Sequence, residues 1–160
     1  MDLNVVPLFS SPLVVKKLDK PLSIGKDIEK YSDLRDNKKE HGCLDEYPED
    51  KKTILEVFDE FSKKTLGIKN QKFKISTSWV TKTTSANPPG GFHCHKNSYY
   101  SGVFFFSEGE GFAPLLLDNL PHDRHYFFIP KHDIESGDPV IANTFHALPP
   151  QKNLLLFFPS

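Results

Sequence analysis

The hydrophobic period of the sequence changes at Gly67, and this change constrains the fold more than any other feature. From Asp50 to Leu66 apolar residues recur every three to four positions, while lysine and glutamate occupy the positions between them. After Gly67, a residue typical of helix ends, the chain consists of short apolar runs separated by glycine, proline, aspartate and asparagine. The pattern predicts a mainly β domain, a sandwich or barrel, with an N-terminal helical segment.

The predicted strands begin soon after the helix. An alternation that starts at Lys72 places four residues on one face, Phe73, Ile75, Thr77 and Trp79, and predicts an amphipathic strand. Further strands are predicted at Tyr99–Phe106, Pro114–Leu117, Tyr126–Ile129, Pro139–Ile141 and Leu154–Phe158. Upstream, prolines interrupt the extended run Val5–Val15, which predicts an edge strand or a turn, and Asp27–Leu34 predicts one short helix.

Length and composition favour one domain that has neither a membrane span nor a nucleic-acid partner. The 160 residues carry a net charge of −1, contain no run of eighteen apolar residues and show no cluster of basic side chains. Two cysteines, Cys43 and Cys94, are too few for a disulfide framework and predict a reducing, cytoplasmic compartment. We expect a strand and helices over residues 1–67 and a β core over residues 68–160.

One segment, Asn87–Gly102, differs from ordinary strand and turn sequence because it holds two closely spaced histidines. His93 and His95 are two positions apart, so on an extended strand both imidazoles point to the same face. They can then bind one metal ion from neighbouring positions. Imidazole suits iron, zinc, copper and nickel, so the pair does not select the metal, and a polar strand face without any metal stays an open alternative.

The surroundings of this pair resemble a known family. The motifs are Ser78-Trp79, the segment from His93 to Ser98 that reads His-Cys-His-Lys-Asn-Ser, and Ser101-Gly102-Val103 followed by phenylalanines. Together they resemble the 2-oxoglutarate- and iron(II)-dependent oxygenases of bacteria and bacteriophages. Val6–Leu13 resembles the start of that family and Leu154–Ser160 its late strand ending in Phe-Pro-Ser, so the resemblance covers nearly the whole chain.

The resemblance implies a jelly roll, the double-stranded β-helix, over residues 68–160, with iron(II) at its open end and 2-oxoglutarate as cosubstrate. His93 matches the family's first iron ligand, whereas His95 takes a position that is a carboxylate in the usual ligand triad. The implied reaction is hydroxylation of a substrate. The substrate itself is unknown, and a protein side chain such as that of proline is suggested only by analogy with related folds. Asn97, Ser98 and Tyr100 offer amide and hydroxyl groups to 2-oxoglutarate or to the substrate.

The sequence ends where the family has two further functional residues. After the Phe-Pro-Ser strand the family places a distal histidine ligand and a basic residue for 2-oxoglutarate, and nothing follows Ser160. We therefore expect a truncated version of a longer protein, with a shortened homologue that lost catalysis as the alternative. Lys82, Lys96 and Arg124 are the candidates for the basic partner. The apolar ending Leu154–Phe158 also predicts an open sheet edge, and with it a homo-oligomer or another partner.

Two other functions stay open, and a third is disfavoured. A non-catalytic jelly-roll scaffold or binding module would fit a phage structural or assembly protein, located in the virion or host cytoplasm. A cupin-like metal protein would complete its site with His146, which precedes the last strand. Nucleophilic catalysis by Cys94 beside His93 or His95 is disfavoured, because on a strand the cysteine points away from both rings.

Overall fold

A computed structural model of the chain describes residues 12–32, 42–82, 95, 97–109, 112–118 and 145–160. Its helices are a first 3-10 helix at Ser23–Asp27, α1 at Ile28–Ser32, a second 3-10 helix at Cys43–Glu46 and α2 at Pro48–Lys64. Its strands are β1 at Val14–Lys17, β2 at Tyr100–Phe104, β3 at Leu115–Asp118, β4 at Phe145–Leu148 and β5 at Leu154–Pro159. Helices thus precede most of the strands, as the change of hydrophobic period predicts.

The strands of the described residues form two antiparallel sheets. In the larger sheet β5 lies between β1 and β2, with Leu156 opposite both Val15 and Val103. The smaller sheet pairs β3 with β4 and places Leu117 opposite His146. The three- and two-stranded sheets contain too few described strands to test the predicted jelly roll, which stays a prediction.

The position of β5 corrects the expectation that the last apolar run leaves a sheet edge open. Both edges of β5 are paired, and the four consecutive residues Leu154 to Phe157 are all buried. A continuous apolar run is the pattern of a strand covered on both faces, whereas an exposed edge strand alternates or carries charge. In the described sheet β1 and β2 are the outer strands; of the predicted edge segment Val5–Val15, only Val14 and Val15 lie in β1, and residues 5–11 lie outside the described residues.

The long helix α2 confirms the prediction from the 3.6-residue period. Pro48 is at its start, where the missing N–H costs nothing, and Ile54, Phe58 and Phe61 are buried on one face. Past its end Gly67 has a φ of +71°, a conformation that glycine adopts without steric cost. The helix boundaries therefore follow from local sequence, as does the short helix α1 within the predicted Asp27–Leu34.

The core lies between α2 and the larger sheet, and Phe58 is at its centre. The ring of Phe58 makes edge-on contacts with four aromatic rings at centroid distances of 4.9 to 5.7 Å: those of Phe61, Phe73, Tyr100 and Phe157. Such edge-to-face pairs add favourable electrostatics to the burial of apolar area. The helix and the sheet are thereby joined through aromatic side chains from distant parts of the sequence.

The strand predicted from Lys72 onward is wrong. Residues 71–82 form no ladder with another described strand, and the buried face changes along the segment. Phe73 and Ile75 pack against the core, but from Ser78 onward the phase reverses, so that Val80 packs inward and Trp79 is 44% exposed. The sequence does not reveal this reversal. Thr77 and Ser78 are both small and polar, so either of them can face the core or the solvent, and the alternation in the sequence continues unbroken.

Some predictions fall outside the described residues. These are the strands at Tyr126–Ile129 and Pro139–Ile141 and the opening residues 1–11. No helix in the described ranges is long and apolar enough to cross a membrane.

Candidate functional site around His95

His95 is held by a turn that leads directly into β2. The backbone N–H of Ser98 donates to the carbonyl oxygen of His95 at 3.2 Å, and the Ser98 hydroxyl donates to the same oxygen at 3.3 Å. A side chain that bonds a nearby carbonyl in this way stabilises a tight turn. The backbone of His95 is therefore fixed relative to the first strand residue, Tyr100.

The imidazole of His95 packs against the indole of Trp79. The two ring centroids are 5.4 Å apart and the ring planes are inclined by 55°. His95 is half-buried, while Trp79 keeps 44% of its surface exposed. The pair therefore lies at the surface of the molecule, where a small molecule or a metal ion has access.

Ser78 fixes the backbone next to Trp79. Its carbonyl oxygen accepts hydrogen bonds from the N–H groups of Gly42 and Cys43 at 3.0 and 3.3 Å, and its hydroxyl accepts from the N–H of Leu44 at 3.0 Å. These N–H groups begin the second 3-10 helix and have no partner within that helix. The oxygens of Ser78 thus provide the hydrogen-bond acceptors that the start of the 3-10 helix needs. In return, these hydrogen bonds hold a segment that has no strand partner among the described residues.

Cys43, whose N–H group donates to the carbonyl oxygen of Ser78, has no features of a nucleophile. Burial raises the pKa of its thiol, an effect that exceeds the opposing contact with Ser78. A buried thiol with a raised pKa carries little of the reactive thiolate at neutral pH. Cys43 therefore has a packing role. Cys94, the thiol considered above for catalysis, lies outside the described residues.

Three serine hydroxyls form a row at the ends of β2 and β5. The Oγ of Ser160 lies 2.7 Å from the Oγ of Ser98 and 2.8 Å from that of Ser101. The backbone N–H of Ser160 donates to the carbonyl oxygen of Tyr99 at 3.2 Å and extends the strand pairing to this point. Each hydroxyl can donate one hydrogen bond and accept two, so the row can accommodate a polar ligand.

The three residues predicted to bind the cosubstrate have different surroundings. Ser98 belongs to the serine row, and Asn97 is exposed in the turn beside it. The ring of Tyr100 lies between α2 residues, 5.4 Å from Phe58 and 5.6 Å from Phe61, and burial raises the pKa of its hydroxyl. Packing accounts for Tyr100, and its proposed contact with the cosubstrate stays a prediction, as do those of Asn97 and Ser98.

Among the predicted metal ligands, only the side chain of His95 is described. His93 lies outside the described residues, and His146 is in β4, with its Cα opposite that of Leu117. Within the described ranges no three histidine, cysteine or acidic residues are grouped as a metal site would require. The donor chemistry at His95 suits iron, but a complete ligand set would need residues beyond those described.

The candidates for a basic cosubstrate partner are largely outside the described ranges. Lys82 is the exception, and its ammonium lies 2.8 Å from a carboxylate oxygen of Glu29. Both side chains are substantially exposed, so the ion pair contributes little to stability. Lys96 and Arg124 have no described position.

The sequence interpretation missed the link from the second 3-10 helix through Ser78 and Trp79 to His95. It also missed that Ser101 and Ser160 share one hydroxyl row with Ser98. The available signal was the dipeptide Ser78-Trp79, which stood out in the resemblance but was assigned to an ordinary strand face. Contacts between residues so distant in sequence leave no local pattern.

A separate groove of about 350 Å³ runs between β1 and α2. Apolar side chains including Leu13, Val15, Val57 and Phe61 line it. None of the predicted site residues is among its lining residues, so the groove does not bear on the chemistry at His95.

Comparison with known proteins provides no independent family assignment. The chain matches no model of a known protein family, no curated protein and no solved structure.

Proposed function

We propose that this protein is an oxygenase that depends on iron(II) and 2-oxoglutarate and hydroxylates an organic substrate. The observation that carries the proposal is the His95 site: an accessible imidazole held by Trp79 and by a turn, close in sequence to a row of serine hydroxyls. The His-Cys-His-Lys-Asn-Ser segment and its flanking motifs support the same function by their resemblance to that oxygenase family.

His93 and His95 are the proposed iron ligands, and His146 is a weaker candidate for completing the site. Neutral imidazole is a suitable ligand for iron(II), and a site with few anionic ligands keeps more positive charge for an anionic cosubstrate. When bound, iron and 2-oxoglutarate would supply the oxidation: oxygen and 2-oxoglutarate are consumed, and hydroxylated product, succinate and carbon dioxide are released. The protein's own task is to bind, orient and exclude water.

The serine row is the proposed contact for polar groups of the cosubstrate or substrate. Hydroxyls of Ser98, Ser101 and Ser160 already share hydrogen bonds at 2.7 and 2.8 Å, and each keeps bonding capacity for a ligand oxygen. Asn97, exposed in the adjacent turn, adds an amide. These groups would orient a carboxylate of the cosubstrate by hydrogen bonds.

We also propose a substrate class, a cellular location and a partner for this protein. A protein side chain is the proposed substrate, by analogy with other oxygenases of this fold, and the reducing cytoplasm is the proposed location because the cysteine usage favours it. A partner could be a second copy of the chain or, for a phage protein, a virion component.

Anaerobic titration with iron(II), followed by measurement of succinate formed from 2-oxoglutarate, tests the proposal directly. We expect binding and turnover in the wild type and the loss of both in His93→Ala and His95→Ala. His122→Ala is the matched control because it removes an imidazole from a polar, loop-like sequence and should change neither quantity.

Two other outcomes would replace the proposal for this chain. A folded protein that binds no iron(II) would indicate a scaffold or binding module, or a fragment of a longer enzyme that needs further residues for its metal site. Loss of metal binding in His146→Ala, with turnover absent throughout, would indicate a cupin-like metal protein.

A further inference from the structure

We propose that Ser78 and Trp79 are positioning residues for the imidazole of His95. Ser78 fixes the backbone on the second 3-10 helix, and Trp79 sets the plane of the imidazole ring. The consequence for metal binding rests on the proposed function, whereas the orientation of the ring does not.

Ser78 anchors its segment to the second 3-10 helix. Its carbonyl and hydroxyl oxygens together accept three backbone hydrogen bonds, from Gly42, Cys43 and Leu44. Gly42 has a φ of +121°, which residues with a side chain rarely adopt, so the geometry of the donors is specific. Residues 71–82 have no strand partner in the described sheets; Phe73 and Ile75 pack against the core, and the hydrogen bonds of Ser78 join the segment to the second 3-10 helix.

The side chain of Trp79 is directed away from the core. Val80 packs inward against the core and Ser78 points to the 3-10 helix, so Trp79 between them is directed outward. An indole that is 44% exposed contributes only part of its area to the core. Its described ring contact is with His95, at a centroid distance in the favourable range for aromatic pairs.

The contact with Trp79 restricts the orientation of the His95 ring. An imidazole can rotate about its side-chain bonds, and a ligand must present one nitrogen in one direction to a metal ion. The His95 backbone is fixed by Ser98, and the inclined indole removes rotational freedom from the ring. Residues that orient a ligand without touching the metal typically account for about 10- to 100-fold in metal affinity.

The orientation is testable without any metal. The centroid of the His95 ring lies 5.4 Å from that of the indole, so we expect the carbon-bound ring protons of His95 to carry a ring-current shift in the NMR spectrum. At fixed pH we expect Trp79→Ala to abolish this shift, Trp79→Phe to retain part of it, and Ser78→Ala to reduce it. Phe112→Ala is the matched control: this exposed aromatic ring lies over Gly109, and its loss should leave the His95 resonance in place.

Metal affinity provides the second readout. Trp79 is the only tryptophan of the chain, so quenching of its fluorescence by iron(II) or nickel(II) reports binding close to His95. For the variants, competition against a chelating dye replaces fluorescence. We expect Trp79→Ala to weaken binding by about 10- to 100-fold, and Trp79→Phe to remain closest to wild type.

The outcomes separate the two proposals. An unchanged His95 resonance in Trp79→Ala, or an unchanged metal affinity in a variant of wild-type thermal stability, would overturn the positioning role. A ring-current shift that depends on Trp79, in a wild-type protein that binds no metal, would support the positioning role and reject the oxygenase function. Thermal melts of every variant ensure that a lost shift is not a lost fold.

Discussion

The buried side chain of Asp50 joins two elements of the helical part of the chain. It is only 6% exposed, and its carboxylate accepts hydrogen bonds from the backbone N–H and the hydroxyl of Ser23 and from the N–H of Ile24, at 2.8 to 2.9 Å. Because the carboxylate belongs to the first turn of α2 and the donors to the first 3-10 helix, one side chain fixes both elements.

We expect Asp50→Ala to lower the free energy of unfolding by more than about 2 kcal/mol, because it leaves buried N–H groups without an acceptor and hydrogen bonds to charged groups are worth about 1.5–3 kcal/mol each. Urea denaturation measures the change. Asp59→Ala is the control: it breaks a surface ion pair with Lys63 and should cost less than about 1 kcal/mol. Equal losses in both variants would contradict the role given to Asp50.

Cys43 provides a pH-dependent contribution to stability. Burial raises the pKa of its thiol above the usual value of 9.0, so the folded chain holds this proton more tightly than the unfolded chain does. The contribution is complete below the unfolded pKa and is lost as the pH rises through the folded pKa.

The unfolding free energy should therefore fall as the pH is raised above about 9, and it should fall less steeply in Cys43→Ala. Denaturant titrations at several alkaline pH values measure the two slopes. Tyrosine and lysine groups contribute equally to both proteins, so parallel slopes would show that Cys43 does not titrate differently in the folded state.

At the scale of elements, the contact between β2 and β5 requires a glycine. Gly102 is opposite Phe157, and a Cβ at position 102 would lie 3.0 Å from the Cε1 atom of that ring. The ring itself cannot easily move, because Phe58 packs against it at a centroid distance of 5.1 Å. The glycine of the Ser-Gly-Val motif thus makes space for a core aromatic residue.

Gly102→Ala should destabilise the protein by about 1–3 kcal/mol, the usual cost of overpacking a core. If the clash with the ring is the cause, the double variant Gly102→Ala/Phe157→Leu should be more stable than the sum of the single changes implies, by about 0.5–3 kcal/mol. Thermal or urea unfolding of the four proteins forms a complete cycle. Strict additivity would assign the cost to the strand backbone instead.

The elements also show which parts of the fold local sequence can predict. For α2, the period of Ile54, Phe58 and Phe61 and the following Gly67 contain the necessary information, and the prediction was confirmed. The strand at residues 72–79 was wrong because strand formation needs a partner, and partners are distant in sequence. The central place of β5 was missed for the same reason.

At the scale of the whole molecule, one strand holds the described sheet together. Within that sheet β5 is hydrogen-bonded on both sides, whereas β1 is bonded on one side only. Leu155 and Phe157 of β5 also belong to the core shared with α2. The strand with the most partners and the deepest burial should open only when the protein unfolds globally.

Native-state hydrogen exchange followed by NMR should therefore find the slowest amides in β5. Alternate amides of β1 point away from β5 and should exchange much faster, since an edge strand has a free side. Comparable protection along both strands would contradict this ranking and would indicate that β1 has a second partner.

The spacing of His93 and His95 and the flanking motifs predict a metal site in this segment, and that function stays a prediction. The arrangement around His95 could not be predicted. The half-buried contact of His95 with Trp79, the anchor of Ser78 on the 3-10 helix and the row of three serines all depend on tertiary contacts. None of these leaves a periodic signal in the amino-acid sequence.

The pairing of Val14 with Phe157 has a consequence for biosynthesis. The two residues are separated by almost the whole sequence, so a nascent chain makes α2 long before it can cover that helix with β5. Until then Phe58 and Phe61 lack their sheet partners, and apolar surface of this kind recruits chaperones or aggregates. Such distant pairing also slows folding. Ribosome-bound chains that stop before Leu154 should therefore be sensitive to protease along α2, and chains extended past this strand should be resistant.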